Sequence, residues 1–353
     1  MTAPGPLTIW FTNAPLPGNT TTWYQESLPI GNGKLAAMIY GGVSTEQVQF
    51  NEDTIWTGQP HDYSHPNAAS YLAGMQSNIF NLTSGQSAFW TTCSANFMSL
   101  PSRQPAYQPA GTLNLTFPHS GLLNYRRALD LSNATVNVRY DYNGVNYSRD
   151  YFASAPSNKV IVIRLTASQP GKISFTASFS TLQSATYAAS GNDLVMHAQV
   201  INNGDARYYS TGCTNAIRYD ARLRVLPEGG VMNATGNSIS VTNADAVTLL
   251  LAVASNFIKY DDVGADSVAI CSNNIAAAAQ NSYATLRQAQ LDDYQSLFNR
   301  VVLDLGGTAK TNAPIGVRKR TGCPSSRISP SSGTVAPDRA LISEDLPAPL
   351  SPI

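Results

Sequence analysis

The segment LPIGNGKLAAMIYGGVSTEQVQFNEDTIWTG, Leu28 to Gly58, lays out a β-hairpin in its own residue order. Gly31, Asn32 and Gly33 tolerate the positive φ of a tight turn, and the apolar run Leu35 to Tyr40 reads as the strand that leaves it. Gly41 and Gly42 break that strand, and a second one runs from Gln47 to Phe50. The segment ends in a polar cluster, Asn51-Glu52-Asp53-Thr54-Ile55-Trp56, which combines adjacent carboxylates with an aromatic ring.

Downstream of this segment, period-2 alternation dominates. Ala134 to Tyr142 places Val136, Val138 and Tyr140 on one face and Asn137 and Arg139 on the other. Further strands are expected at Val145 to Phe152, Lys159 to Ala167, Lys172 to Ser180, Asp193 to Val200, Ile217 to Leu226 and Ala246 to Ala254. Asn143-Gly144, Gln169-Pro170-Gly171, Gly191-Asn192, Asn202-Asn203-Gly204 and Glu228-Gly229-Gly230 punctuate them. Many strands with polar turns and few helical patterns predict a mainly β fold, a large antiparallel β-sandwich.

Two segments read as helical instead. Asn67 to Leu100 predicts one or two short inserted helices. Ile275 to Val301 predicts a longer C-terminal helix, with Tyr283, Leu286, Gln290, Tyr294 and Leu297 at steps of three and four and Asn274 or Ser272 as its cap.

The order of motifs resembles the N-terminal domain of glycoside hydrolase family 95, the inverting α-L-fucosidases. The resemblance starts in Leu28 to Gly58 and continues through Tyr107-Gln108-Pro109-Ala110-Gly111-Thr112-Leu113 and Tyr125-Arg126-Arg127-Ala128-Leu129-Asp130-Leu131. It extends to Ser148-Arg149-Asp150-Tyr151-Phe152-Ala153-Ser154 and to the helix Asp293-Tyr294-Gln295-Ser296-Leu297-Phe298-Asn299-Arg300-Val301. It implies a super-sandwich over residues 8–273, a helical linker over 274–314, and a catalytic α/α barrel that should follow. It also implies hydrolysis of terminal α-L-fucosyl linkages by metal-free acid/base chemistry without a cofactor. The partner would be a fucosylated oligosaccharide or cell-wall glycan.

Residues 315–353 depart from that pattern. They hold six prolines, seven serines and no aromatic residue, too little apolar surface to order a chain. A shifted reading frame or missed intron is the preferred reading, with a native disordered tail as the alternative. In the resembled family the acid and the water-holding groups lie in the barrel. No residue of this chain matches them, so no catalytic residue is assigned, and the 353 residues together are expected to be inactive alone and poorly soluble.

Composition narrows the partners. Charged residues make up 12% of the 353 and the formal net charge is zero, which argues against a nucleic-acid stripe or a polybasic membrane patch. No apolar run reaches the roughly 20 residues of a spanning helix. Abundant neutral polar residues suit an extracellular protein, as the resemblance also implies, and six N-glycosylation sequons, at Asn19, Asn81, Asn114, Asn133, Asn146 and Asn233, read either as a glycoprotein's sites or as the number that so many Asn, Ser and Thr give by chance. Met1 to Pro6 shows no signal peptide, which a clipped start would explain. Cys93, Cys213, Cys271 and Cys323 form no C-x-x-C pair, and Cys213 with Cys271 reads either as a disulfide or as two buried thiols.

The local candidates are Asn51, Glu52, Asp53 and Trp56. Neighbours on a strand point to opposite faces, which disfavours Glu52 and Asp53 as a working pair. The favoured reading is that Asn51, Glu52 and Trp56 brace a loop or a domain interface near substrate. His61, Asp62 and His65 spell H-D-x-x-H, but Pro60 and Pro66 oppose a helix, so a polar loop is favoured over a metal site. His119 and His197 read as structural, and Arg126-Arg127 as solvated or salt-bridged. Three readings stand: the N-terminal part of a fucosidase-like hydrolase, a free-standing sugar-binding sandwich using Trp23, Trp56 or Trp90, and a small enzyme using its own carboxylates.

Overall fold

A computed structural model describes residues 7–15, 26–80, 87–101, 104–157, 159–201 and 214–303. The first strand is β1 (Thr8–Phe11), followed by a meander of β2 (Leu28–Gly31), β3 (Leu35–Ile39) and β4 (Thr45–Glu52). Helices α1 (Ala68–Phe80) and α2 (Ser87–Phe97) then interrupt the β pattern. The next strands are β5 (Gly111–Thr116), β6 (Leu123–Asp130), β7 (Thr135–Tyr142), β8 (Val145–Ala153), β9 (Ile161–Ala167) and β10 (Ile173–Ser180). After them come β11 (Ser184–Ser190), β12 (Asp193–Gln199), β13 (Arg218–Glu228), β14 (Val231–Thr235), β15 (Ser238–Ala244) and β16 (Ala246–Ser255). Two helices complete the described chain, α3 (Ser267–Ala278) and α4 (Tyr283–Phe298).

The strands form two antiparallel sheets. One runs β1-β6-β7-β8-β9-β16-β13-β12-β11 and the other β14-β15-β10-β5-β4-β3-β2. Their facing sides bury one large core, with Val48, Phe50, Leu113 and Phe175 from the seven-stranded sheet and Val138, Tyr151, Leu223 and Leu249 from the nine-stranded one. This is the antiparallel sandwich that the alternation predicts. Four strands, β1, β11, β14 and β15, fall outside the predicted set. Three of them are sheet-edge strands, where half the pairing is absent and the apolar pattern is correspondingly weak. No helix among the described residues is long and apolar enough to cross a membrane.

β16 is buried along its whole length. Val247, Leu249, Leu251 and Val253 enter the sandwich core. Leu250, Ala252 and Ala254 face the other way, onto Cys271, Ile275 and Ala278 of α3 and Leu286 of α4. An apolar run without alternation is the signature of a strand covered on both sides.

The predicted single helix from Ile275 to Val301 is two helices. Asp266 caps the first by accepting from Ala269 N at 3.0 Å, and Ser282 caps the second by accepting from Thr285 N at 3.1 Å. Asn274 and Ser272 lie inside α3 rather than at its start. Each cap satisfies an amide that the first helical turn leaves free, and the break at Ala279 to Asn281 lets both helices lie on the sheet. α4 is fastened by polar contacts to the β6–β7 turn. Gln290 donates to Asn133 O, Tyr294 Oη to Leu131 O and Gln295 to Ser132 O.

The sheets are joined by an unusual number of buried polar groups. Four successive carbonyls of the loop after β3 accept hydrogen bonds from side chains of the opposite sheet: Tyr40 O from Arg127, Gly41 O from Tyr125 Oη, Gly42 O and Val43 O from Arg149. Arg127 is therefore buried and paired with Glu26, not solvated. Glu46 is wholly buried beside Arg149 and accepts from Gly41 N and Tyr151 Oη. Burial pushes its carboxyl above the usual range, partly opposed by the Arg149 charge.

Glycine is obligatory in this loop. Gly41 has φ +80°, and a Cβ on Gly42 would meet Thr45 O at 1.9 Å. Gly42→Ala is expected to prevent stable folding, or to lower the urea midpoint by more than any surface Gly→Ala change such as Gly74→Ala. Arg149→Met should cost about 3–5 kcal/mol because Glu46 is left buried without its partner. Adding Glu46→Gln should recover part of that loss, as read by urea unfolding.

His119 illustrates a second cost of burial. Its ring lies among Phe117, Tyr142 and Tyr147, and Nδ1 is 2.8 Å from Tyr140 Oη. Burial, helped by Arg149, lowers its pKa from 6.5 to about 4. The fold thus favours the neutral ring, so the stabilisation is full above pH 6.5 and is lost as pH falls through about 4. At most it amounts to ~3 kcal/mol. Between pH 6.5 and 4, His119→Gln should lose stability less steeply than the parent, as read by urea unfolding at each pH.

Candidate functional site

The hairpin segment delivers its polar cluster to one end of the sandwich. At its start Asn32 closes the turn: its Oδ1 accepts from Lys34 N at 3.1 Å and Leu35 N at 2.8 Å, while Nδ2 donates to Ser154 O. This holds Lys34 opposite the end of β4, where Leu35 pairs with Glu52.

β4 ends at Glu52, and a turn follows. Expected on opposite faces, Glu52 and Asp53 instead come together, because strand alternation stops at the turn. The two carboxyls converge on Lys34 Nζ, at 3.1 and 3.6 Å. Glu52 is 1% exposed and also accepts from Thr54 N at 2.9 Å and Thr54 Oγ1 at 2.5 Å. Burial first, and the neighbouring Asp53 carboxyl second, push its pKa up. Burial alone would lower Lys34, but Glu52 and Asp53 outweigh it and hold the ammonium above its ordinary value.

The remaining candidates are held from the far side of the turn. Asn51 Nδ2 donates to Gln108 O, and Asn51 Oδ1 accepts from Glu52 N. Trp56 Nε1 donates to Asp53 O at 2.8 Å. The Trp56 ring lies 5.2 Å from that of Tyr107, whose hydroxyl donates to Glu52 O. Thr54 Oγ1 shares a 2.5 Å hydrogen bond with Ser255 Oγ, which ties the corner to the end of β16. All four candidates thus meet in one bracing network. Lys34, Tyr107 and Ser255 complete it, and sequence reasoning did not assign them to it. Tyr107 had a signal, since its motif belongs to the quoted resemblance.

Beside this corner opens a cleft of about 590 Å³, within the range of small-molecule sites. Trp56, Tyr63, Phe257 and Tyr260 give it aromatic walls, and Asp53 and Gln104 are among its polar groups. Asp53 is half exposed, and Tyr260 is 84% exposed at the tip of the turn after β16. Among the described lining residues Asp53 is the sole carboxylate. Phe257 and Tyr260 escape sequence analysis because they follow a strand without any motif of their own. Trp90 is exposed on α2, away from the cleft lining, and Trp23 lies outside the described residues.

The histidines do not converge. His61 Nε2 contacts Leu100 O, Asp62 accepts from Ser64 N, and His65 Nδ1 accepts from Asn67 N. No group of three potential ligands suited to a metal ion occurs among the described residues. His197 pairs with Asp220, which also accepts from Ser267 Oγ. The serine reaches the aspartate rather than the imidazole, so the three do not form a nucleophilic triad. Cys271 is a free buried thiol donating to Asp220 O, while Cys213, the other cysteine of the disulfide-or-thiols alternative, lies outside the described residues together with Cys323 and all of 304–353.

Residues 10–260 match the family described as "Glycosyl hydrolase family 65, N-terminal domain". Among known proteins, the chain is 36% identical over 325 residues to "Alpha-L-fucosidase 2" of Arabidopsis thaliana, with 83% of this chain covered. It is 28% identical over 316 residues to "Probable alpha-fucosidase A" of Aspergillus niger, with 82% covered. It is 23% identical over 301 residues to the protein of the same name from Aspergillus oryzae, with 80% covered. The matched regions span only 36%, 37% and 40% of the lengths of these three relatives. The chain belongs to the glycosyl hydrolase family 65 N-terminal domain family, and its sandwich is a family 95-like N-terminal domain.

Proposed function

We propose that this chain is the sandwich part of an extracellular α-L-fucosidase-type hydrolase. The intact protein would cleave terminal α-L-fucosyl linkages with inversion, using an acid and a base carried on a catalytic barrel. The sandwich contributes a braced corner and an aromatic cleft against which substrate and barrel are held, and it does not turn over alone.

The observation that carries this reading is the state of the two carboxyls. An inverting glycosidase needs an acid and a base roughly 6.5–9.5 Å apart with a water between them. Glu52 is buried and engaged by Lys34 and Thr54, and Asp53 sits beside it on the same ammonium. That pairing fits a brace. It leaves no room for a substrate and a water between acid and base. The apolar residues at the end of α4 and just beyond it support a barrel partner: Leu297, Val301, Val302 and Leu303 are exposed, as a surface awaiting cover would be.

A second reading, a sandwich that binds sugar without hydrolysing it, is favoured by the cleft itself. Trp56 is held by its Nε1 hydrogen bond and lines a cavity with Asp53 and Gln104 at hand. Aromatic faces with a few polar groups suit a pyranose, which is apolar on one side and hydroxylated at its rim.

Incubating the full chain with an α-1,2-fucosylated oligosaccharide tests both readings. No release of fucose is expected, and titration of the same sugar should show weak binding that Trp56→Ala lowers at least tenfold, about 1.4 kcal/mol. Release of fucose would overturn the proposal and return Glu52, Asp53 and Asp62 as catalytic candidates. Sugar binding unaffected by Trp56→Ala would remove the cleft from the reading.

A further inference from the structure

One flank of the sandwich is formed by two uncharged edge strands. β11 (SATYAAS) ends the nine-stranded sheet and β14 (VMNAT) ends the seven-stranded one. They lie side by side, with Ala189 N donating to Gly236 O across the gap between the sheets. Neither strand contains a lysine, an arginine, an acidic residue or a proline. Those are the usual guards against a second chain adding to an open edge. On β14, Met232 and Ala234 pack inward while Val231, Asn233 and Thr235 point to solvent, and Val231 is 70% exposed. An uncharged edge with an exposed valine is a template for self-association.

The one distinctive feature on this flank is Asn233-Ala234-Thr235, a complete sequon. Asn233 is exposed, and its Nδ2 lies 3.1 Å from Thr235 Oγ1 within the sequon itself. The other described sequons are worse placed. Asn133 donates to Asp130, and its carbonyl holds Arg287 and Gln290 of α4, so a glycan there would displace the helix. Asn114 lies within a central strand between Gln47 and Ser180, and the Asn146 amide is engaged by Asp141.

We propose that Asn233 carries an N-linked glycan and that this glycan is the guard of the β11–β14 flank. The donor is a lipid-diphosphate-linked oligosaccharide. Asn233 Nδ2 forms the N-glycosidic bond to the sugar C1, the C1–O bond to the diphosphate breaks, and the lipid diphosphate leaves with that electron pair. The amide proton passes to a base of the host transferase. The hydrated glycan then stands over Val231 and the open edge, where another strand would otherwise pair.

This inference rests on the extracellular placement proposed above. An added cleavable signal sequence supplies the compartment directly, so a failure at Asn233 and a failure of that placement are separate results. The full chain, so equipped, is translated with microsomes and also secreted from a eukaryotic host. The tryptic peptide Val225 to Lys259 contains one sequon, so enzymatic glycan release leaves a mass marker assignable to Asn233 alone. The expected result is that marker in most copies, lost in Asn233→Gln and in Thr235→Ala. Both variants should elute as larger species than the parent, as should the parent after deglycosylation. The microsomal assay reads the modification even where a variant folds poorly. An unmodified Asn233 in both systems, or a bare edge that stays as monomeric as the glycosylated chain, overturns the proposal.

Discussion

Two arginines and a tyrosine, reaching across from the nine-stranded sheet, take the carbonyls of Tyr40, Gly41, Gly42 and Val43 one after another. A loop cannot normally run through a sandwich interior, because its backbone groups would lose water without gaining partners. Here each carbonyl is satisfied by a cationic or phenolic donor, and the cations are in turn balanced by Glu26 and Glu46. The loop fixes where β4 begins, β4 fixes where Glu52 ends, and the whole corner hangs from that register. Glycine at 41 and 42 is the steric condition for the arrangement, since side chains there would occupy space already filled by Arg127 and by the backbone of Thr45.

At the other end of β4 the same economy appears on a smaller scale. Two carboxyls that would repel when charged are held together by Lys34 on one side and by Thr54 on the other. Burial favours the protonated form of Glu52, which eases the repulsion between the two. The corner is thereby braced, and bracing is what an aromatic wall such as Trp56 needs if it is to offer a fixed face. Ser255 extends the bracing to β16, so that the cleft is framed by both sheets.

Most of the architecture was legible in the sequence, because half-buried strands write their own alternation. Val136, Val138 and Tyr140 are core residues as their spacing predicts. The strands that escaped notice, such as β11 and β14, lie at edges where small residues face solvent and the pattern fades. The helix boundary failed for a different reason: Ser282 is one serine among many, and only the break in direction that it caps distinguishes it. The candidate site was half visible. Asn51 to Trp56 form one contiguous cluster and could be read as such. Lys34 reaches it through the β3–β4 pairing, and Ser255 and Phe257 come from the far end of the chain, which no local window around Asn51 to Trp56 contains.

The double burial of β16 bears on how such a chain is made. Its backbone is satisfied once it pairs with β9 and β13, and its inner face once the seven-stranded sheet packs over it, but Leu250, Ala252 and Ala254 stay bare until α3 has left the ribosome behind it. For that interval the nascent sandwich has every strand it needs and still presents a greasy back to the cytosol or the translocon. The helices that look like a connector between parts are therefore also the cover of this outer face. A protein cut just before them would be complete in its sheets and still open to the water.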